Sequence, residues 1–370
     1  MNILWLCGSR IAGGAERATL QIAALLRDRG HAVQVACPPD SRVVPLCGDL
    51  RLPVQAAPLG GGWNVRAPAA IRKLIWSKAD VVMATGAHEW VWASLSQRPP
   101  NTRLVLVRHM ALPLSRRVRW LAARRADAVV AVSHAVRDSL AGRPTIPADR
   151  LHVIYNPVRF APRTSVPSAA DRARARTSLG LPDGGKWVAF FGGLDANKGI
   201  DDVAAAVRRA ETALGAIRLL LCGRGERSGE ADQALSTRFG LDGRLHDLGE
   251  TDRVEEALTA ADLVVMATRR RLSEALPATL IEAMACGTPV LAYASGGMAE
   301  VIGPDGAAGR LARADDAADL ARVLVEILTD PAGAARMAAA ALARVRSLFD
   351  PQQAAQRYER LFSTLCSIRP

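Results

Sequence analysis

The chain has 370 residues, 49% of them apolar and 23% charged. At roughly 100–200 residues per domain this fits two globular domains. The composition excludes a disordered or fibrous protein, and no run approaches the ~20 uninterrupted apolar residues of a membrane-spanning helix. The formal net charge of +12 sits in the first part: residues 1–160 hold 22 Lys and Arg against 9 Asp and Glu, and the remainder holds 26 against 27. Such asymmetry points to an anionic partner (nucleic acid, membrane surface or acidic substrate) or to an Arg-rich solvated face. Six cysteines, Cys7, Cys37, Cys47, Cys222, Cys286 and Cys366, form no CxxC pair and no Cys/His cluster. They read as reduced, mostly buried thiols of a cytoplasmic protein, not as a disulfide framework or a zinc site.

The opening MNILWLCGSR lacks a basic n-region and a small-residue cleavage site, so 2–7 is expected as a first buried strand and not as a signal peptide. Gly13 and Gly14 lie between that strand and a helix over 15–29. There the backbone must approach a ligand closely, or simply make a tight turn. The spacing is not GxGxxG, so no dinucleotide fingerprint is supported. Strands follow at 32–36, 80–84, 103–107, 128–132 and 151–155, with a helix at 135–140. His88 and His109 both follow strand patterns, at carboxyl ends where an open α/β sheet places its site. His31, His134, His152 and His246 read as ordinary surface or packing residues. Seven arginines fall between Arg103 and Arg125, with Trp120 and Leu121 among them. No aromatic stacking platform accompanies this charge, so an anionic membrane surface is favoured over nucleic acid.

Pro157, Pro162, Pro167 and Pro182 mark a break, with the linker placed at 157–166. Strand and helix patterns then alternate again, with strands at 187–191, 218–222, 245–248, 263–266 and 289–292. Alternation of this kind argues a parallel sheet covered on both faces, twice over. Asp201 and Asp202 open a helix as cap and dipole complement, and no DxD stands where a metal would be needed. A terminal amphipathic helix is predicted over 351–366, after a stop at Phe349-Asp350-Pro351.

The stretch 273–289, SEALPATLIEAMACGTP, is the richest in chemistry. Glu274 and Glu282 stand eight apart with Pro277 between them, and proline favours a first helical turn. Glu274 is therefore placed in a loop and Glu282 in the second turn of the following helix. At the helix start, Leu276, Pro277, Ala278 and Thr279, free N–H groups and the positive dipole end suit a phosphate. A carboxylate one turn further in can accept two hydrogen bonds from a ribose diol. The loop carboxylate can reach a group that the phosphates carry.

This segment resembles the retaining glycosyltransferase family 4 pattern, with Glu274 and Glu282 as its E-x7-E, Glu282-Ala283-Met284-Ala285 as its EAMA, and Gly287-Thr288-Pro289-Val290 after it. Gly296-Gly297-Met298-Ala299-Glu300 resembles the family's GG-x-x-E. Further pieces follow the family's order: Gly13-Gly14-Ala15-Glu16, Val132-Ser133, Ile154-Tyr155-Asn156-Pro157-Val158, Phe191-Gly192-Gly193-Leu194 and Lys198-Gly199. The resemblance implies an α/β GT-B fold, two Rossmann-like domains facing a cleft, with the last helix crossing back to the first domain. The implied division is 1–160 for the acceptor, 161–349 for the nucleotide sugar and 350–370 for the returning helix.

The same resemblance implies a hexosyl transfer from a nucleoside-diphosphate sugar, UDP- ahead of GDP-, to a lipid-linked glycan or other envelope-polysaccharide acceptor. It requires no metal and no separate cofactor, and the basic segment Arg103–Arg125 adds the expectation of a place on the inner face of the plasma membrane. His109 would bond the transferred sugar or the acceptor, with His88 the other choice. Lys198 would neutralise the leaving diphosphate, Glu274 would hold the donor sugar and Glu282 the ribose. Gly13, Gly14, Gly193 and the helix start would line the nucleotide site. One departure stands out: where the family carries an arginine clamping the pyrophosphate, this chain has Gly193. The run Arg269, Arg270, Arg271 either replaces that cation or is solvated surface. A non-catalytic nucleotide-sugar-binding protein and a sugar-nucleotide epimerase are the alternatives.

Overall fold

The continuous apolar runs become the strands of two parallel sheets, because a strand covered by helices on both faces has no polar side to show. The computed structural model describes residues 1–59, 66–75, 78–142, 145–193, 196–223, 229–270 and 274–367. The chain divides into two compact units, Met1–Arg159 with Phe349–Pro370, and Phe160–Leu348. Leu194, Arg271 and Ser273 of the sequence motifs lie outside the described residues.

Unit one contains β1 (Asn2–Leu6), β2 (Ala32–Cys37), β3 (Val54–Ala56), β4 (Val81–Ala84), β5 (Arg103–Arg108), β6 (Ala128–Ala131) and β7 (Leu151–Val153). Among the described residues they form one sheet in the order β3-β2-β1-β4-β5-β6-β7, every pair parallel. Unit two contains β8 (Lys186–Phe191), β9 (Ile217–Cys222), β10 (Leu245–Asp247), β11 (Leu263–Met266), β12 (Val290–Tyr293) and β13 (Arg310–Ala312). Their order is β10-β9-β8-β11-β12-β13, again all parallel. Strand order reverses between β1 and β4 in one sheet and between β8 and β11 in the other. These reversals open the crevices at the carboxyl ends where such sheets hold ligands.

The interior strands β4, β6, β11 and β12 are buried at every position. In unit two the helices Ile200–Leu214 and Ala317–Thr329 cover one face, packing Val203, Val207, Leu320 and Leu324 with Leu219, Leu263 and Leu291. The two strands that sequence reading missed, β3 and β13, are three-residue edge strands with exposed positions. They carry no apolar run, and their neighbours alone define them.

The terminal helix Pro351–Ser367 packs within unit one on the helix Gly14–Asp28. Tyr358 lies fully buried against Trp5, ring centroids 6.4 Å apart, and against Phe362 at 5.9 Å. Glu359 accepts from Arg29 at 2.5 Å and meets His31 at 3.0 Å, and these bonds hold its carboxyl below the usual range. The Tyr358 hydroxyl is buried without a hydrogen-bond partner among the described residues. Two substitutions at this residue therefore act in opposite directions. Tyr358→Phe relieves an unsatisfied polar group and is expected to raise the unfolding free energy read from urea melts, by up to about 1–3 kcal/mol. Tyr358→Ala leaves a cavity and is expected to lower it by about 3–5 kcal/mol. A fall for both would show that the hydroxyl has a partner in solution.

Candidate active site

In unit two the local chain geometry gathers residues that are far apart in sequence. Phe191 ends β8, and the chain passes through Gly192, Gly193 and a 3-10 turn, Ala196–Lys198, to Gly199. Gly199 has φ +74°, and a Cβ there would stand 2.1 Å from the Ala267 carbonyl oxygen. Only glycine permits that approach, which carries Lys198 to the end of β11. Gly297 is required in the same way. Its N–H donates to the Glu274 carbonyl at 2.7 Å, and a Cβ would sit 2.5 Å from the Ala275 carbonyl oxygen. The Gly296-Gly297 loop thus fixes the backbone of Glu274.

The outcome is a bonded cluster. Lys198 Nζ donates to Glu274 Oε1 at 2.5 Å, and Thr268 Oγ1 donates to the same oxygen at 3.2 Å. Both side chains of the Lys198–Glu274 pair are about one-fifth to one-quarter exposed, so water screens the pair only in part. The next helix runs Ala278–Ala285, with Pro277 as its N-cap and no side chain capping it. Glu282 lies in its second turn, half-buried, while the apolar side of the helix is buried through Leu280, Ile281, Ala283 and Met284. Pro277 is extended, with ψ 96°, so Leu276 and Pro277 precede the helix. The first helical N–H groups belong to Ala278, Thr279 and Leu280, one position later than sequence spacing suggests.

Asp201 and Asp202 do stand in the first helical turn, where they complement the dipole, but the expected cap is corrected. Asp202 does not cap its helix, because Gly199 occupies the N-cap and the carboxylate is held elsewhere. It accepts from Arg269 at 2.9 Å and from the Tyr293 hydroxyl at 3.1 Å. Asp201 likewise faces Arg238 at 3.2 Å. The Arg269 guanidinium is therefore tied to Asp202, which raises its pKa and argues against it as the replacement for a cation at Gly193. Arg270 is exposed.

Unit one carries a second cluster, a pocket of about 270 Å³ at the carboxyl ends of β1, β4 and β5. Glu16, His88, Glu89, Arg108 and His109 line it. His109 faces Thr19 Oγ1 through Nε2 at 3.4 Å, and Asn156 Nδ2 meets Nδ1 at 3.2 Å. With Nδ1 accepting, the ring proton sits on Nε2. Asn156, which belongs to the quoted Ile154–Val158 motif, orients the ring. Gly13 is the N-cap of the helix Gly14–Asp28, and its N–H donates to Glu16 at 3.0 Å. Neither Gly13 nor Gly14 has a positive φ, and a Cβ at Gly14 would meet nothing within 4 Å. A strained turn therefore does not explain these glycines; Gly13 serves as the helix N-cap, where a Cβ would stand 3.1 Å from Glu16 Oε2.

Burial and the neighbouring Arg108 charge push the His109 pKa down to about 4, so the ring is neutral at ordinary pH. The folded pKa lies below the ordinary value of 6.5, so the unfolded chain binds the proton first. Stability is fully present above 6.5 and is lost as pH falls from there toward 4. His109→Gln is expected to flatten this slope, so that the parent's denaturation midpoint drops further than the variant's between these values. Parallel curves would contradict a half-buried neutral imidazole.

Sequence reasoning missed Thr268, Glu89 and Arg108. Glu89 adjoins His88 in TGAHEW and is 4% exposed, its carboxyl pushed up chiefly by burial and further by Glu16. Gly86 makes space for it, since a Cβ there would stand 1.8 Å from Glu89 Oε2.

Residues 12–183 match the family described as Glycosyltransferase Family 4, and residues 171–344 match Glycosyl transferases group 1. A GDP-mannose-dependent monoacylated alpha-(1-6)-phosphatidylinositol monomannoside mannosyltransferase of Corynebacterium glutamicum is 32% identical over 193 residues, 51% of this chain and 49% of that protein. A D-inositol 3-phosphate glycosyltransferase of Mycolicibacterium vanbaalenii is 32% identical over 205 residues, 51% of this chain and 43% of that one. The chain thus spans about half the length of the curated relatives it matches. The crystal structure of Anabaena Alr3699/HepE in complex with UDP and glucose superposes with a TM-score of 0.80 at 25% identity, covering 98% of this chain and 100% of that chain. Two parallel-sheet units, the order of their motifs and these matches together give the chain a GT-B fold, its first part matching Glycosyltransferase Family 4 and its second Glycosyl transferases group 1.

Proposed function

We propose that the protein is a retaining hexosyltransferase that moves a sugar from a nucleoside-diphosphate sugar to an acceptor hydroxyl. The observation that carries this reading is the second-unit cluster: Lys198 bonded to Glu274 beside an uncapped helix start, with Glu282 one turn further in. Lys198 and the first helical N–H groups meet the diphosphate, and their charge matters most as the leaving group takes on negative charge. Glu282 holds the ribose diol and Glu274 the sugar. The Glu274–Glu282 spacing, which resembles the retaining family's, supports attack on the face that the diphosphate leaves. His109 and the unit-one pocket serve the acceptor. Relatives support either donor base, UDP in Alr3699/HepE and GDP-mannose in the Corynebacterium enzyme.

Incubation with UDP- and GDP-sugars tests this reading through nucleoside diphosphate release, which should depend on added acceptor. Binding without release in any acceptor mixture would favour the non-catalytic alternative instead, which the Gly193 departure motivates. Conversion of the donor sugar without acceptor would favour the epimerase.

The acceptor is read as membrane-borne. Of the seven arginines from Arg103 to Arg125, the structure turns some inward: Arg103 pairs with Asp127 at 3.6 Å and Arg108 is buried. Arg116, Arg117, Arg124 and Arg125 remain exposed, alongside Met110 (52% exposed), Leu112 (57%) and Trp120 (48%). Arg116 and Arg117 occupy the first turn of the helix Arg116–Arg125, where the dipole disfavours cations. Helix stability does not explain that placement, whereas an anionic surface does. No described helix is long and apolar enough to cross a membrane. Each exposed basic residue contributes about 1 kcal/mol at a negative leaflet. Co-sedimentation with anionic but not neutral vesicles, lost at high salt, is the expected result. Equal recovery with both would remove the membrane claim.

A further inference from the structure

Among the described residues Arg108 is the one buried arginine, and the half-buried arginines around the two cores contrast with it. Arg98 pairs with Asp127 at 3.2 Å, Arg172 with Asp262 at 3.9 Å, and Arg176 with the same carboxylate at 2.9 Å. Arg108 is 7% exposed, yet among the described residues no carboxylate lies within ion-pair distance of it. Its Nη2 donates to the Leu112 carbonyl at 2.8 Å, and its Nε is buried with no partner. A buried cation without a counter-ion is strongly destabilising unless something completes it. This one lines the unit-one pocket, whose wall also carries two carboxylates, Glu16 and the buried Glu89. The pocket therefore offers an unpaired guanidinium, suited to a planar or tetrahedral oxyanion, together with acceptors suited to hydroxyl donors.

We infer that this pocket recognises an anionic polyol: Arg108 takes a phosphate or carboxylate group of the acceptor, while Glu89 and Glu16 accept hydrogen bonds from its hydroxyls. The inference rests on the reading of unit one as the acceptor side. It deepens that reading by naming the acceptor's chemistry. The oxyanion can belong to a soluble sugar phosphate or to a lipid headgroup, and the two sources separate experimentally.

The test uses the full chain with UDP or GDP, whichever binds, at saturation, so that added phosphate does not compete for the nucleotide site. Inorganic phosphate, glucose 6-phosphate and glucose are titrated calorimetrically into the parent, Arg108→Gln and Arg108→Lys. The expected result is binding of phosphate and glucose 6-phosphate to the parent, tighter for the sugar phosphate than for glucose. Affinity should fall at least tenfold in Arg108→Gln and by a smaller factor in Arg108→Lys. In a parallel arm, vesicles of phosphatidylinositol retained by the parent and lost by Arg108→Gln would show a lipid-borne anion. Retention of nucleotide affinity certifies folding of each variant. If Arg108→Gln does not fold, Arg108→Lys decides alone. Unchanged anion affinity in the folded variants, or no anion binding by the parent in either arm, overturns the inference while leaving nucleotide binding intact. Failure of both UDP and GDP to bind the parent would instead defeat the donor reading. In that case the difference between parent and Arg108→Gln, measured without nucleotide, still decides the role of Arg108.

Discussion

Lys198→Ala is expected to lower turnover by about a hundredfold or more while changing the donor Michaelis constant much less. The reason lies in when the charge is needed. Lys198 is held by Glu274 at 2.5 Å, so part of its field is balanced. As the sugar–phosphate bond breaks, negative charge grows on the diphosphate, and the ammonium gains most at that moment. Gly193 supplies no side-chain cation, and Arg269 is tied to Asp202. Steady-state kinetics of the variant measure the split. An unchanged turnover would reassign Lys198 to a purely structural pair with Glu274.

Glu282→Ala is expected to weaken nucleoside diphosphate binding by one to two orders of magnitude. A carboxylate holding two ribose hydroxyls makes two charge-assisted bonds, each contributing about 1.5–3 kcal/mol before desolvation is subtracted. Folding should survive, because Glu282 is half-buried while its helix is anchored by Leu280, Ile281, Ala283 and Met284. Calorimetric titration with UDP and GDP checks the affinity, and the melting point of the free variant checks the fold. Affinity equal to the parent's would remove this helix from the nucleotide site.

Much of this architecture was legible because its signals are local. Runs such as Val81–Ala84 and Leu263–Met266 are buried on both faces and show it in their own composition. Glu282, Lys198 and Gly297 stood out by motif, and the structure gives the last two a physical reason: Gly199 and Gly297 are pressed against carbonyl oxygens of neighbouring segments. What escaped depends on partners distant in sequence. Asp202 gains its role from Arg269, 67 positions away, and Lys198 meets Glu274 across 76 positions. Arg108 looked like one basic residue among seven, and only its burial and lack of a counter-ion set it apart. The edge strands Val54–Ala56 and Arg310–Ala312 are defined by pairing, not by pattern.

Hydrogen exchange with and without a nucleoside diphosphate tests the central claim most directly, since it locates the ligand without needing the acceptor. Slowed exchange is expected in residues 196–202 and 274–285, which carry Lys198, Glu274 and Glu282, on addition of UDP or GDP. Protection should disappear in Glu282→Ala at the same nucleotide concentration. Protection confined to unit one, or none in either segment with both nucleotides at saturation, would contradict it.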